Sequence, residues 1–135
     1  MSRKKIMIID DDEYTIDLYK MMIEMISANG YISTELNPVK ALDDLKRIYE
    51  AENNKFPDYI LLDISMPEMN GFDFIDHFQK LFPDKSKSTD FIITTSSILE
   101  KDKEKANSLR CVKGFIIKPI PADYIARLIQ GSARA

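Results

Sequence analysis

One cysteine, one histidine and no apolar run near membrane-spanning length leave few chemistries open to this chain. Cys111 has no partner for an intrachain disulfide, which fits a reducing compartment. With one His and one Cys, the usual nitrogen and sulfur ligand sets of zinc, haem or iron–sulfur centres are not available. Any metal would be held by oxygen, which points to magnesium, manganese or calcium. The apolar stretches fall far short of the ~20 residues that cross a bilayer, and the N-terminus lacks the apolar segment of a secretory signal. No membrane association and a cytoplasmic location are therefore expected. The net charge of −3 argues against a nucleic-acid partner bound through phosphate neutralisation. The short basic start Arg3-Lys4-Lys5 reads as a solvated terminus beside the first strand.

What is present is an ordinary globular composition, 44% hydrophobic and 30% charged over 135 residues, enough for one domain with a sizeable core. Short apolar runs at 5–10, 31–36, 58–63, 90–95 and 113–117 read as strands. Between them lie segments of helical periodicity. Ile16, Tyr19, Ile23 and Ile26 mark the first, with Asn29-Gly30 as its stop signal. Pro38 opens the second, which carries Ala41, Leu42, Leu45 and Ile48. Phe74, Phe78, Leu81 and Phe82 mark the third, ended by Pro83; the fourth spans about 99–109; the fifth follows Pro121 with Tyr124, Ile125, Leu128 and Ile129. Strands alternating with helices imply βαβ crossovers and a parallel sheet covered on both faces. The continuously apolar Ile60-Leu61-Leu62 suits a strand buried on both sides. The expectation is one (βα)5 domain over 1–135, with no output domain.

Polar groups end four of the runs: Asp10 and Asp11 the first, Asp63 the third, Thr95-Ser96 the fourth, Lys118 the fifth. Alone, any of them is an ordinary turn or capping residue. Together, at the carboxyl edge of an open α/β sheet, they lie where such folds bind ligands. Three carboxylates within ~4 Å repel by roughly 1 kcal/mol per pair in water, and by about 4 at an effective dielectric of about 20. A protein tolerates that when a cation fills the gap. Mg²⁺ needs few carboxylates and keeps positions open for phosphate oxygens. Lys118 then adds a positive charge and Thr95 a hydroxyl donor, which makes a socket for a phosphoryl group on Asp63. Aspartate is an established covalent nucleophile of this kind.

Ile6-Met-Ile-Ile-Asp-Asp11, Asp63-Ile-Ser-Met-Pro-Glu-Met-Asn-Gly71, Thr94-Thr-Ser-Ser97 and Gly114-Phe-Ile-Ile-Lys-Pro119 resemble the receiver domain of two-component response regulators. The blocks occur in order and cover essentially the whole chain. The resemblance implies a flavodoxin-like α/β fold with strand order 2-1-3-4-5, like the chemotaxis receivers. It implies Asp63 as phosphoacceptor, with Asp11, Asp63 and the Ser65 backbone carbonyl ligating Mg²⁺ (Mn²⁺ a possible substitute). Asp10 would act through water or orient the metal shell. Lys118 would hold a phosphoryl oxygen, its bond to Pro119 being cis. Thr95 would be the switch hydroxyl and Phe115 the aromatic that swings inward with it. Thr95 and Ser96 both fit the switch position; Thr95 is preferred because it sets Ala106 at the usual helical place, leaving Ser96 to give its backbone N–H to the phosphoryl group. Ser65 and Ser97, small and polar, would flank the path of the attacking water.

The implied partners are a sensor histidine kinase or histidine phosphotransfer protein, and a target protein docking on the fourth helix, fifth strand and fifth helix. Such a chain catalyses only its own phosphorylation and dephosphorylation. Two other functions compete. A haloacid-dehalogenase-type phosphatase would need a second Asp two residues after the nucleophile, where this chain has Ser65. A pseudo-receiver that only binds partners would lack one of the acids or the lysine. Several further features read as structural: His77 as a surface or half-buried helical residue, Cys111 as a small filler, Met21, Met22 and Met25 as core or flexible packing, and 100–105 as a solvated, weakly anchored helix face.

Overall fold

Along the first strand Ile6 and Ile8 point to one side and Met7 and Ile9 to the other, and none is more than 1% exposed. A strand with both faces apolar must be covered twice, which requires helices above and below the sheet. The computed structural model, which describes residues 5–26, 31–52, 54–96 and 99–130, has this arrangement. Its elements run β1 (Lys5–Ile9), α1 (Glu13–Ile26), β2 (Tyr31–Glu35), α2 (Pro38–Ala51), β3 (Tyr59–Asp63), α3 (Gly71–Leu81), β4 (Asp90–Thr95), α4 (Glu100–Asn107), β5 (Val112–Ile117) and α5 (Ala122–Gln130). All strand pairs are parallel, in the order β2-β1-β3-β4-β5. This is the expected flavodoxin-like topology.

Two cores result. Met7, Ile9, Ile60, Leu62, Phe91 and Ile93 pack beneath α2, α3 and the single buried α4 residue, Ala106. Ile6, Ile8, Leu61 and Ile92 pack beneath α1 and α5 through Ile16, Tyr19, Ile23, Ile125 and Leu128. Each such side chain contributes about 1.5–3 kcal/mol of burial. Phe56, Phe78, Phe82 and Phe91 interlock at ring-centroid distances of 5.0–5.8 Å and close the first core at the amino edge of the sheet.

Side chains set the helix starts. The Asn37 carboxamide accepts the Val39 N–H at 2.8 Å with Pro38 at the first helical position. Asn70 caps α3 by accepting the Asp73 N–H at 2.9 Å. Asp12 caps α1, accepting the Tyr14 N–H at 3.0 Å and the Thr15 hydroxyl. The Asn29-Gly30 stop signal and the basic start at Arg3-Lys4 lie outside the described residues.

Some expectations need correction. Met21 and Met25 are 52% and 80% exposed, not core. Tyr19 and Ile23 carry the buried stripe, and two positions on is about 200° around the helix. Leu81 is 40% exposed because Phe78 and Phe82 occupy the core on that side. A 3-10 turn at Lys85–Lys87 is not signalled by the apolar pattern. The fourth helix is shorter than its periodic segment suggests, Glu100–Asn107. His77 is exposed and Cys111 buried, as expected. Among the described residues no helix is long and apolar enough to cross a membrane.

Gly71 joins fold to site. Its N–H donates to the Ile64 carbonyl at 2.8 Å, and a Cβ there would sit 2.7 Å from the Asp63 carbonyl oxygen and 3.1 Å from Ile64 Cα. Backbone on the far side cannot swing away as a side chain would. Gly71→Ala is expected to lower stability by about 1–3 kcal/mol in urea unfolding, whereas Glu68→Ala, exposed in the same loop, stays within about 0.5. Equal effects at the two positions would contradict the close-approach account.

Candidate functional site

Strand register alone assembles the rim. Ile9 pairs with Leu62, so the next residues, Asp10 and Asp63, come side by side past the paired positions of β1 and at the end of β3. Asp63 pairs with Thr94, and Thr95 with Ile117, which sets Lys118 just beyond β5. The Lys118 N–H donates to the Thr95 carbonyl at 2.8 Å, and the Lys118–Pro119 peptide is cis.

Asp10 and Asp63 are 1% and 4% exposed, while Asp11 is exposed. Carboxylate oxygens of all three lie within 4.8 Å of one another. The Lys118 ammonium is 2.7 Å from Asp10 Oδ2 and 3.4 Å from Asp63 Oδ2. Asp10 Oδ1 accepts the Asp12 N–H at 2.9 Å. Asp63 Oδ1 has a longer bond, accepting the Ser65 N–H at 3.4 Å. Asp10 is thus held at both oxygens, and Asp63 is held more loosely.

Burial, then the charge of Asp10, pushes the Asp63 carboxyl up to about 6, against the opposing pull of Lys118 and the Ser65 N–H. Burial acts against the Lys118 ammonium, but the hydrogen bond and charge of Asp10, joined by Asp63, outweigh it and raise its pKa above the ordinary lysine value. The donor set is all oxygen and excess negative charge collects in one small volume. These residues therefore fit a hard divalent cation.

The remaining sequence-predicted positions fall into two groups. Thr95 is buried, 1% exposed, and by strand alternation shares its sheet face with Phe91 and Ile93. Phe115, half-buried, pairs with Ile93 and packs against the same core. Ser96 is exposed beyond the end of β4, and Ser65 is exposed in the loop after β3. Thr95 therefore lies on the sheet face that carries Phe115, whereas Ser96 stands past the last strand residue. Ser97 lies outside the described residues.

The sequence reading missed a cleft of about 630 Å³ between the loop after β3 and α4, whose walls include Asp11, Ser65, Asn70, Lys101, Asp102 and Lys105. The Lys105 ammonium sits 4.8 Å from the centre of the Phe72 ring. Lys101 and Lys105, four apart, share one face of α4. That spacing was visible in a segment read only as solvated charge.

An open parallel sheet in this order, with acids and a lysine converging on its carboxyl rim, is a flavodoxin-like domain of the CheY type. A family model, the response regulator receiver domain, matches residues 6–130, and the chain belongs to that family. It is similar to the polar-differentiation response regulator DivK of Brucella anthropi, 30% identical over 118 residues that cover 87% of this chain and 85% of that protein. A solved two component response regulator from Cytophaga hutchinsonii matches with a TM-score of 0.87 at 26% identity over 98% of both chains. Protein-glutamate methylesterase/protein-glutamine glutaminase 3 of Burkholderia thailandensis is 32% identical over 119 residues, 85% of this chain but 29% of that longer protein.

The raised Asp63 pKa has a consequence for stability in metal-free buffer. A carboxyl whose pKa rises on folding contributes stability that is complete below the unfolded value near 4 and lost as pH climbs through about 6. In EDTA, Asp63→Asn is therefore expected to be more stable than wild type at pH 8 by on the order of 1–3 kcal/mol, with the gap closing toward pH 4. Urea unfolding at the two pH values checks this; a pH-independent gap would rule out the electrostatic cause.

Proposed function

We propose that this receiver domain takes a phosphoryl group onto Asp63 from a phosphohistidine and passes the signal by a conformational change to a partner protein. Receiver domains in general work with histidine kinases and downstream targets. The observation that carries the reading is the Asp63 carboxylate at the end of a buried strand, with Lys118 at 3.4 Å and two further acids within 4.8 Å.

In the transfer, a bond forms between an Asp63 carboxylate oxygen and phosphorus as the donor's P–N bond breaks. The electron pair leaves with the imidazole, which takes up a proton from solvent. Asp63 is presented by the strand, so little ordering is required when the donor arrives. Lys118 supports the transferred phosphoryl oxygens, and the Ser65 N–H, now at Asp63, offers a backbone donor beside them. Asp11, Asp63 and the Ser65 carbonyl would hold Mg²⁺ or Mn²⁺, with Asp10 orienting the shell; bound there, the ion neutralises charge on the phosphoryl oxygens. The Thr95 hydroxyl then turns toward the phosphoryl group and Phe115 moves further in, biasing a two-state equilibrium on the α4–β5–α5 face. Weak anchoring of α4 through Ala106 supports a surface that can rearrange. A cytoplasmic location suits this partnership.

The chemistry is tested by incubation with acetyl phosphate and Mg²⁺ followed by intact mass. One phosphate is expected on wild type and none on Asp63→Ala; an unmodified wild type overturns the proposal. Separately, Mg²⁺ at about 100 times its dissociation constant should stabilise the fold by roughly 2.7 kcal/mol, and Asp11→Ala should abolish that gain; an undiminished gain would remove Asp11 from the ligand set. With Ser65 small and exposed, water reaches the phosphorus, and the adduct is expected to decay unaided. Its persistence for days in Mg²⁺ would refute the open path.

A further inference from the structure

Lys118 serves the rim only while its ammonium stays between Asp10 and Asp63, at 2.7 and 3.4 Å. A long side chain goes where its backbone aims it. On the strand side that backbone is fixed, because the Lys118 N–H donates to the Thr95 carbonyl at 2.8 Å. Beyond it the chain reads Pro119-Ile120-Pro121. A proline has no N–H, so Ile120 supplies the only backbone donor between Lys118 and Ala122. That donor reaches the Tyr19 hydroxyl oxygen at 3.2 Å, across 101 positions of sequence.

The surroundings leave this bond without an easy substitute. Tyr19 and Ile120 are each 1% exposed, out of reach of bulk solvent. Ile6, Ile8, Ile16 and Ile23 share the same core, and their side chains accept no hydrogen bond. Ile16 and Ile23 flank Tyr19 on the buried stripe of α1 and fix where its ring can lie. Burial holds the phenol above its ordinary pKa, so at neutral pH it is an uncharged hydroxyl with an oxygen lone pair to offer.

The geometry points to Tyr19 as a positioning residue for the phosphoryl chemistry: by anchoring Ile120 it fixes the segment that carries Lys118 and keeps the ammonium beside Asp63. This rests on the proposed roles of Asp63 as phosphoacceptor and Lys118 as support for the phosphoryl oxygens. Tyr19 makes and breaks no bond in the transfer and acts through the ammonium. The inward face of α1 thereby reaches the connection between β5 and α5.

The test uses Tyr19→Phe, which keeps the ring in the core and removes the acceptor, in the full chain under conditions where it is folded. Loading from acetyl phosphate in saturating Mg²⁺, followed by intact mass, is expected to slow about three- to tenfold. Mg²⁺ affinity by calorimetric titration should hold or tighten, because the ammonium repels the ion and is no ligand to it. A general loosening of the rim would weaken it instead. Ile23→Val, on the same stripe, also destabilises the fold but should load at the wild-type rate. In a Lys118→Ala background, Tyr19→Phe should bring no further slowing. Wild-type loading in Tyr19→Phe, equal slowing in Ile23→Val, weakened Mg²⁺ binding, or the full loss repeated without Lys118 would each overturn the inference while leaving Asp63 as acceptor. If Lys118→Ala takes up no measurable phosphate, the other three readouts decide. Failure of the wild type to gain phosphate would instead sink the phosphoacceptor role itself.

Discussion

Everything at the rim depends on three carboxylates being held together with a single ammonium among them. Lys118, 2.7 Å from Asp10 and 3.4 Å from Asp63, is what makes the arrangement tolerable. It does not neutralise it. Burial and Asp10 still push Asp63 up to about 6, so the folded protein carries a carboxyl that gives up its proton at a higher pH than an ordinary aspartate. A fold gains nothing from such a group. Under the proposed function its value is chemical: a nucleophilic oxygen whose surroundings a cation and a phosphoryl group would complete.

The sheet can carry that cost because the apolar content is placed on both of its faces. Ile6 and Ile8 face one helical layer and Met7 and Ile9 the other, and Leu61 and Leu62 divide the same way on β3. Parallel pairing then has a consequence that no side chain chooses. All strands end at the same edge, so residues far apart in the chain meet there in register. Gly71 extends the control past the strand, since only a residue without Cβ lets the chain return against the Asp63 carbonyl.

The opposite quality is found at α4. Its one buried residue is Ala106, against five for α3. It leans on the sheet edge that carries Thr95 and Phe115 and forms one wall of the cleft beside Asp11. In the proposed function, a strand-borne carboxylate next to a lightly held helix is a combination that would let a local change of charge spread outward. In the same helix the alternation of Lys with Glu and Asp keeps the surface hydrated while placing Lys101 and Lys105 toward the cleft.

Alternating strand and helix patterns, the strand-end acids, Lys118 and its cis proline were legible in the chain because each is a local matter of periodicity or motif. The exposure of Met21, Met25 and Leu81 was not, since apolar residues at near-helical spacing look alike whether or not a partner layer covers them. Nor was the burial of Thr95 on the sheet face that carries Phe115, with Ser96 exposed beyond the strand end. The sequence by itself determined which residues could react and in what order they lie. Tertiary structure alone decided how close they come, which of them lose their water, and which lysines face the cleft, because distance and burial are set by elements that are remote in the chain and adjacent only once the sheet has closed its register.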